Sequence, residues 1–139
     1  MINDATGFNQ YVNKTKKLDI LKGVTKIDKN VFVDCGTVEE VVLPDGLTEI
    51  DDYAFFFCDS LNDIEFGSKL QSIGNYAFYG TKLRKAEIPC GTQKIGDYAF
   101  KNCDTLITVN IPGTVTEIGE NIFCGTSDNL AVYGYGSAA

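Results

Sequence analysis

QKIGDYAF, residues 93–100, is one of five versions of a single phrase; the others are TKIDKNVF (25–32), TEIDDYAF (48–55), QSIGNYAF (71–78) and TEIGENIF (116–123). Their isoleucines, Ile27, Ile50, Ile73, Ile95 and Ile118, stand 23, 23, 22 and 23 residues apart. Self-similarity at that period predicts a stack of small, nearly identical units, in which a residue is explained first by its column.

A second column, Phe32, Phe55, Phe78, Phe100 and Phe123, follows each isoleucine by five residues. Val31, Ala54, Ala77, Ala99 and Ile122 sit just before it, and Val24, Leu47, Leu70 and Val115 lie upstream, with Thr92 interrupting their column. These columns are expected to point inward. Each unit also carries an apolar-x-x-apolar-x-apolar segment: Val38, Val41, Leu43; Leu61, Ile64, Phe66; Leu83, Ala86, Ile88; Leu106, Val109, Ile111. The last two members of each trio alternate with polar neighbours, as in a half-buried strand, and equivalent strands one unit apart pair in parallel at about 4.8 Å.

The expected architecture is therefore a solenoid with a short parallel β-sheet on one side and turns on the other. The Tyr-Ala-Phe stretches are expected to form short helical turns on that outer side, stabilised only by their neighbours. Pro44, Pro89 and Pro112 mark the strand ends. The third unit is one residue short after Phe78, which is expected to leave the strands in register. Residues 1–17 are read as an N-terminal cap, with Phe8, Tyr11 and Val12 over the first coil, residues 18–135 as the repeat domain and 136–139 as a tail. Leu130 to Tyr135 is expected to supply a closing strand.

The stretch IPCGTQKIGDYAFKNCDTLITVNIPGTVTEIG, residues 88–119, resembles the BspA-type leucine-rich repeat family, also described in treponemal surface proteins. The resemblance covers about residues 18–135 and implies a leucine-rich repeat solenoid of about five repeats of 22–23 residues. The more common leucine-rich pattern places Asn in a column after the strand. Here that column reads Gly46, Lys69, Gly91 and Thr114, so no Asn ladder is expected there. Family members are often surface proteins that bind host matrix proteins, other cells or bacteria. The resemblance thus implies a cell-surface or secreted, adhesion-type protein, while the opening MINDATGFNQY lacks the basic and apolar segments of a secretory signal and leaves the cytoplasm open.

Composition narrows the chemistry. The 139 residues are 44% apolar, with nine Phe and seven Tyr, enough for one continuous core. Insertion into a membrane is not expected, because no apolar run approaches the roughly 18 residues of a spanning helix. Histidine is absent, which excludes His-based triads, imidazole bases and His-containing metal sites within this chain. The formal net charge of −7 argues against nucleic acid as a partner, since that affinity grows with the phosphates neutralised by Lys and Arg.

No nucleophile is paired with a base, so no catalytic residue, metal ligand or cofactor is assigned. Cys35, Cys58 and Cys103 share a column with Thr81 and Thr126, which reads as a buried structural position rather than a site. Tyr53, Tyr76 and Tyr98 form another column, read as packing between coils ahead of a sugar platform.

The outward positions of the strands are the candidate binding residues: Glu39 and Glu40; Asn62, Asp63 and Glu65; Arg84, Lys85 and Glu87; Thr108 and Asn110. Lys16 and Lys17 are expected to face Glu39 and Glu40, and Asp63 to face Lys85, with Glu40 beside Asp63 as the like-charged exception. The leading expectation is a non-enzymatic protein-binding module that uses this face, a glycan ranking behind a protein as partner. The alternative is a small acidic intracellular inhibitor that occupies a basic groove of its partner, drawing on the ten acids and no bases of residues 31–66.

Overall fold

The computed structural model describes residues 15–135. Each coil contributes two strands. Those on the predicted sheet face are β1 (Lys17–Asp19), β3 (Glu40–Val42), β5 (Asp63–Glu65), β7 (Lys85–Glu87), β9 (Thr108–Pro112) and β11 (Ala131–Tyr135). Alternating with them along the chain are β2 (Lys26–Ile27), β4 (Glu49–Ile50), β6 (Ser72–Ile73), β8 (Lys94–Ile95) and β10 (Glu117–Ile118). All pairs are parallel and one coil apart, so that Leu18 lies beside Val41, and Ile27, Ile50, Ile73, Ile95 and Ile118 form one continuous file. The closing strand expected from Leu130 to Tyr135 is β11, paired with β9. The cap expected at residues 1–17 lies, up to residue 14, outside the described residues, as does the tail at 136–139.

Two features of the sheets depart from expectation. The isoleucine file is itself a five-stranded sheet, although each of its strands is only two residues long. The predicted sheet is divided, into β1-β3-β5 and β7-β9-β11. The reason lies in the shortened third unit: Cys35 to Val38, Cys58 to Leu61 and Cys103 to Leu106 each span three residues, whereas Thr81 to Leu83 spans two. The chain enters β7 early, with Lys82 N–H bonded to Leu61 O at 2.8 Å, and β7 does not reach β5. Leu43 N–H bonds to Glu65 O and Ile88 N–H to Asn110 O, each at 3.0 Å, but the equivalent bond from Phe66 to Glu87 is missing. Register survives in the isoleucine sheet and fails on the other face.

The outer side holds no helix among the described residues. Tyr53, Tyr76 and Tyr98 adopt left-handed backbone angles, φ 60°, 56° and 58°, and a second left-handed residue follows each by four: Phe57, Gly80 and Asn102. Such residues interrupt a right-handed helix. They also let the chain serve two ladders at once. Ala54, Phe56 and Cys58 donate their N–H three residues back, while Tyr53, Phe55 and Phe57 donate to Asn75, Ala77 and Tyr79 of the next coil at 2.8–2.9 Å. A helix would keep every N–H to itself and leave the coils untied.

The isoleucine and phenylalanine columns point inward as expected through the first four coils, whereas in the last coil Ile118 is exposed and Phe123 only partly buried. Phe32, Phe55, Phe78 and Phe100 are buried and stack on their neighbours at 5.1–5.4 Å between ring centroids. Thr92 is tolerated in its apolar column because its hydroxyl donates to Leu70 O at 2.8 Å. The cysteine column is a file of small donors: Cys58 Sγ and Cys103 Sγ reach Phe32 O and Phe78 O at 2.9 and 3.0 Å, and Thr126 Oγ1 reaches Phe123 O at 2.8 Å. Cys reaches the Phe carbonyl of the preceding coil and Thr that of its own, the thiol as the weaker donor, so either small side chain finds an acceptor in this column.

A side-chain ladder does exist, though not after the strand. Asp52 Oδ1 accepts from Asn75 N–H at 2.7 Å, Asn75 Oδ1 from Asp97 N–H at 2.8 Å, and Asp97 Oδ1 from Glu120 N–H at 2.9 Å. In the first coil this column holds Lys29, which has no acceptor, and there Asp51 Oδ1 caps Asp52 N–H at 2.7 Å instead. Once the ladder is established the position of Asp51 becomes Gly74, Gly96 and Gly119, where an added Cβ would lie 2.3–2.7 Å from ladder oxygens and backbone.

Candidate binding face

Of the ten sequence-predicted residues on the divided face, Asn62, Asp63, Glu65, Arg84, Lys85 and Glu87 are exposed, and Glu39, Glu40, Thr108 and Asn110 are partly buried. Register places Lys17 opposite Glu40, Glu40 opposite Asp63, Lys85 opposite Thr108 and Glu87 opposite Asn110. The expected Lys17–Glu40 ion pair forms, at 3.6 Å, and being exposed it contributes at most about 1 kcal/mol. The expected Asp63–Lys85 ion pair does not. With β5 and β7 unpaired, Lys85 turns to Glu87 on its own strand at 3.5 Å. Asp63 and Glu65 have no ion-pair partner among the described residues.

The division also opens a groove of about 440 Å³ along the face. Asp63, Glu65, Glu40 and Glu87 supply acid to it, Lys17 and Lys85 base, and Ile64 and Phe66 apolar surface. A second depression of about 430 Å³, between Asn62, Asp63, Arg84 and Lys85, lies over the division itself. The face thus gathers Glu40, Asp63, Glu65, Lys85 and Glu87 into one groove, places Asn62 and Arg84 at the second depression, and leaves Glu39, Thr108 and Asn110 outside both. Ile64 and Phe66 are what sequence reasoning missed. Both occupy core columns, yet both are only partly buried, while Val41, Ala86 and Val109 at the position of Ile64 are fully buried. The shortened third unit was the available signal.

No cluster of three or more Cys, Asp or Glu is placed to hold a metal ion among the described residues. Two of the three buried thiols are poor nucleophiles: burial pushes Cys103 up to about 11, and contact with the Cys35 thiol, then burial, push Cys58 well above its usual range, whereas the hydrogen bond with Cys58 lowers Cys35.

On the outer side, Tyr53, Tyr76 and Tyr98 stack face to face at 5.0 and 4.9 Å, and Lys101 covers Tyr98 at 5.0 Å. The stacked file packs neighbouring coils together. Phe56, stacked on Tyr79 at 4.8 Å, and the exposed Phe57 extend the aromatic surface.

The model of the BspA-type leucine-rich repeat region matches residues 5–131 in six copies. The chain belongs to the BspA-type leucine-rich repeat family. This BspA-type chain is similar to a leucine-rich cell surface protein from Faecalibacterium prausnitzii, with 33% identity over 88% of its length and a TM-score of 0.82. It is also similar to leucine-rich repeat proteins from T. pallidum (25% identity, 87% of this chain and 70% of that one, TM-score 0.78) and Eubacterium ventriosum (25%, 96% and 37%, 0.83). The chain spans about a third of the length of the Faecalibacterium protein, 33%. No curated protein matches it.

Proposed function

We propose that this BspA-type chain is a non-enzymatic protein-binding module, and that its binding site is the groove opened between β5 and β7. The observation that carries the reading is the division itself. It turns an otherwise sealed sheet into a groove with an apolar floor, Ile64 and Phe66, beside carboxylates that have no ion-pair partner among the described residues, Asp63 and Glu65. Such a groove fits a polypeptide segment that presents a basic side chain next to an apolar one. The alternative, an acidic inhibitor filling a basic groove, requires a projecting acidic surface. Here three of the ten acids, Glu40, Asp63 and Glu65, border a depression that also holds Lys17 and Lys85, which favours the first reading.

A surface, adhesion-type role draws its support from the cell-surface description of the Faecalibacterium relative. Protease shaving of intact source cells tests the location, release of the chain being expected. For the site, partners captured from an extract are purified and titrated by calorimetry against the wild type and Asp63→Lys. Binding is expected to weaken at least tenfold with unchanged thermal stability and to weaken as salt rises. Equal affinities for the two proteins would remove the groove from consideration.

A further inference from the structure

We propose that Cys35 and Cys58 are a redox pair that closes into a reversible disulfide, stapling two adjacent coils to each other. The two residues occupy one column of neighbouring coils whose backbones run in parallel there: Phe32 N–H and Asp34 N–H bond to Ala54 O and Phe56 O, each at 2.9 Å. Equivalent backbone atoms of chains tied in this way lie about 4.8 Å apart, within the span that a disulfide bridges. The side chains close the remaining distance. Cys58 Sγ donates to Phe32 O at 2.9 Å, the carbonyl that also accepts from Cys35 N–H at 3.3 Å, and the two thiols are in hydrogen-bond contact. Two coils further on, the same column brings Thr81 Oγ1 and Cys103 Sγ to 3.2 Å.

Packing alone does not require a thiol at both positions. Thr81 fills the same column with a hydroxyl and is as fully buried as Cys58. Thr81 and Thr126 stand before and after Cys103, so among the cysteines of the column only Cys35 and Cys58 have each other as neighbours. Their contact also sets the two sulfurs apart. The hydrogen bond with Cys58 eases ionisation of Cys35, while the same contact and burial keep Cys58 protonated. Cys35 is thus the attacking sulfur and Cys58 the resolving one. Both residues are at most 1% exposed, so the oxidant is a small peroxide admitted by local opening of the coils. The Cys35 thiolate attacks one peroxide oxygen, the O–O bond breaks, and the departing hydroxide takes up the proton released by Cys35 as water. The Cys58 sulfur then attacks the Cys35 sulfenic acid, the S–O bond breaks, and the hydroxyl leaves with the Cys58 proton as a second water. Two thiols lose two electrons, one peroxide gains them, and a dithiol reductant reverses the change. Glu40 and Asp63 each follow their cysteine by five residues, so the staple fixes β3 against β5, whether or not the groove beside them binds a partner.

Mass spectrometry of the full chain, with Cys90→Ser and Cys124→Ser removing the exposed thiols, tests this. The probe is hydrogen peroxide, followed by iodoacetamide in urea and tryptic digestion. The peptide spanning residues 30–69 holds both cysteines, and it should lose the mass of two hydrogen atoms and carry no label, while Cys103 should be labelled. Dithiothreitol before labelling should restore both labels. Oxidation should raise the urea midpoint by roughly 1 M, and reduction should return it. Cys35→Thr should abolish the cross-link and the shift, and Cys58→Thr carries the test if the first variant loses its circular dichroism. Neither readout involves a partner, so this proposal and the groove fail separately. Both thiols still labelled after peroxide, sulfinic acid at Cys35 without a cross-link, equal loss of label at Cys103, or an unmoved midpoint would overturn the proposal.

Discussion

Gly96 leaves no room for a Cβ, which would stand 2.5 Å from Asn75 Oδ1 and 2.7 Å from backbone atoms. Gly96→Ala is therefore expected to destabilise the chain by about 1–3 kcal/mol in urea denaturation; an unchanged midpoint would contradict the close approach of the coils. Asn75→Ala leaves the half-buried Asp97 N–H without its acceptor and should cost about 1–3 kcal/mol, while Asn75→Asp, which keeps the acceptor, should cost less. At Cys103 the proton linkage has a definite sign. The unfolded thiol titrates near 9.0 and the folded one near 11, so the folded state holds the extra proton between them. Its contribution is complete below pH 9 and is lost as pH rises toward 11, at up to about 1.4 kcal/mol per pH unit. Cys103→Thr, the residue type already present at Thr81, should reduce the loss of urea stability between about pH 8 and pH 10.5. Equal losses in the two proteins would show that the thiol does not titrate as its burial implies.

The strands and turns were legible in proportion to how often and how fully a pattern repeats. The inward columns recur in every coil, and the sheet-face trios alternate over enough residues to declare a strand. A strand of two residues, such as Glu49–Ile50, carries no period to detect. Left-handed tyrosines were hidden for another reason, because bulky residues rarely adopt that conformation and the coil stack imposes it on them. Lys29 followed by Asp51 in the next coil, in contrast to Asn75 followed by Gly96, did record where the ladder begins, but only the hydrogen bonds reveal the code. At the site, the outward residues were readable from alternation, while the floor formed by Ile64 and Phe66 was not, because one missing residue in a connection moved a strand. Restoring it, by inserting Asp between Thr81 and Lys82 to match the Cys58-Asp59-Ser60-Leu61 spacing, should join the two half-sheets. The melting temperature should rise and partner binding should fall. Unaltered binding in a stabilised variant would separate the groove from function.

At the scale of the whole molecule, stability is close to a sum of coil and coil-to-coil terms, because each coil touches only its neighbours. The division between β5 and β7 is then a weak seam on one face, bridged behind by the continuous isoleucine sheet and by the aromatic and cysteine files. The most direct test is the exchange of individual backbone amides measured by NMR on the wild-type chain. Leu43 and Ile88, whose N–H groups bond to the next coil, should exchange slowly, and Phe66, at the seam, should exchange orders of magnitude faster. Equal protection of all three would mean that the sheet is unbroken and that the groove does not exist.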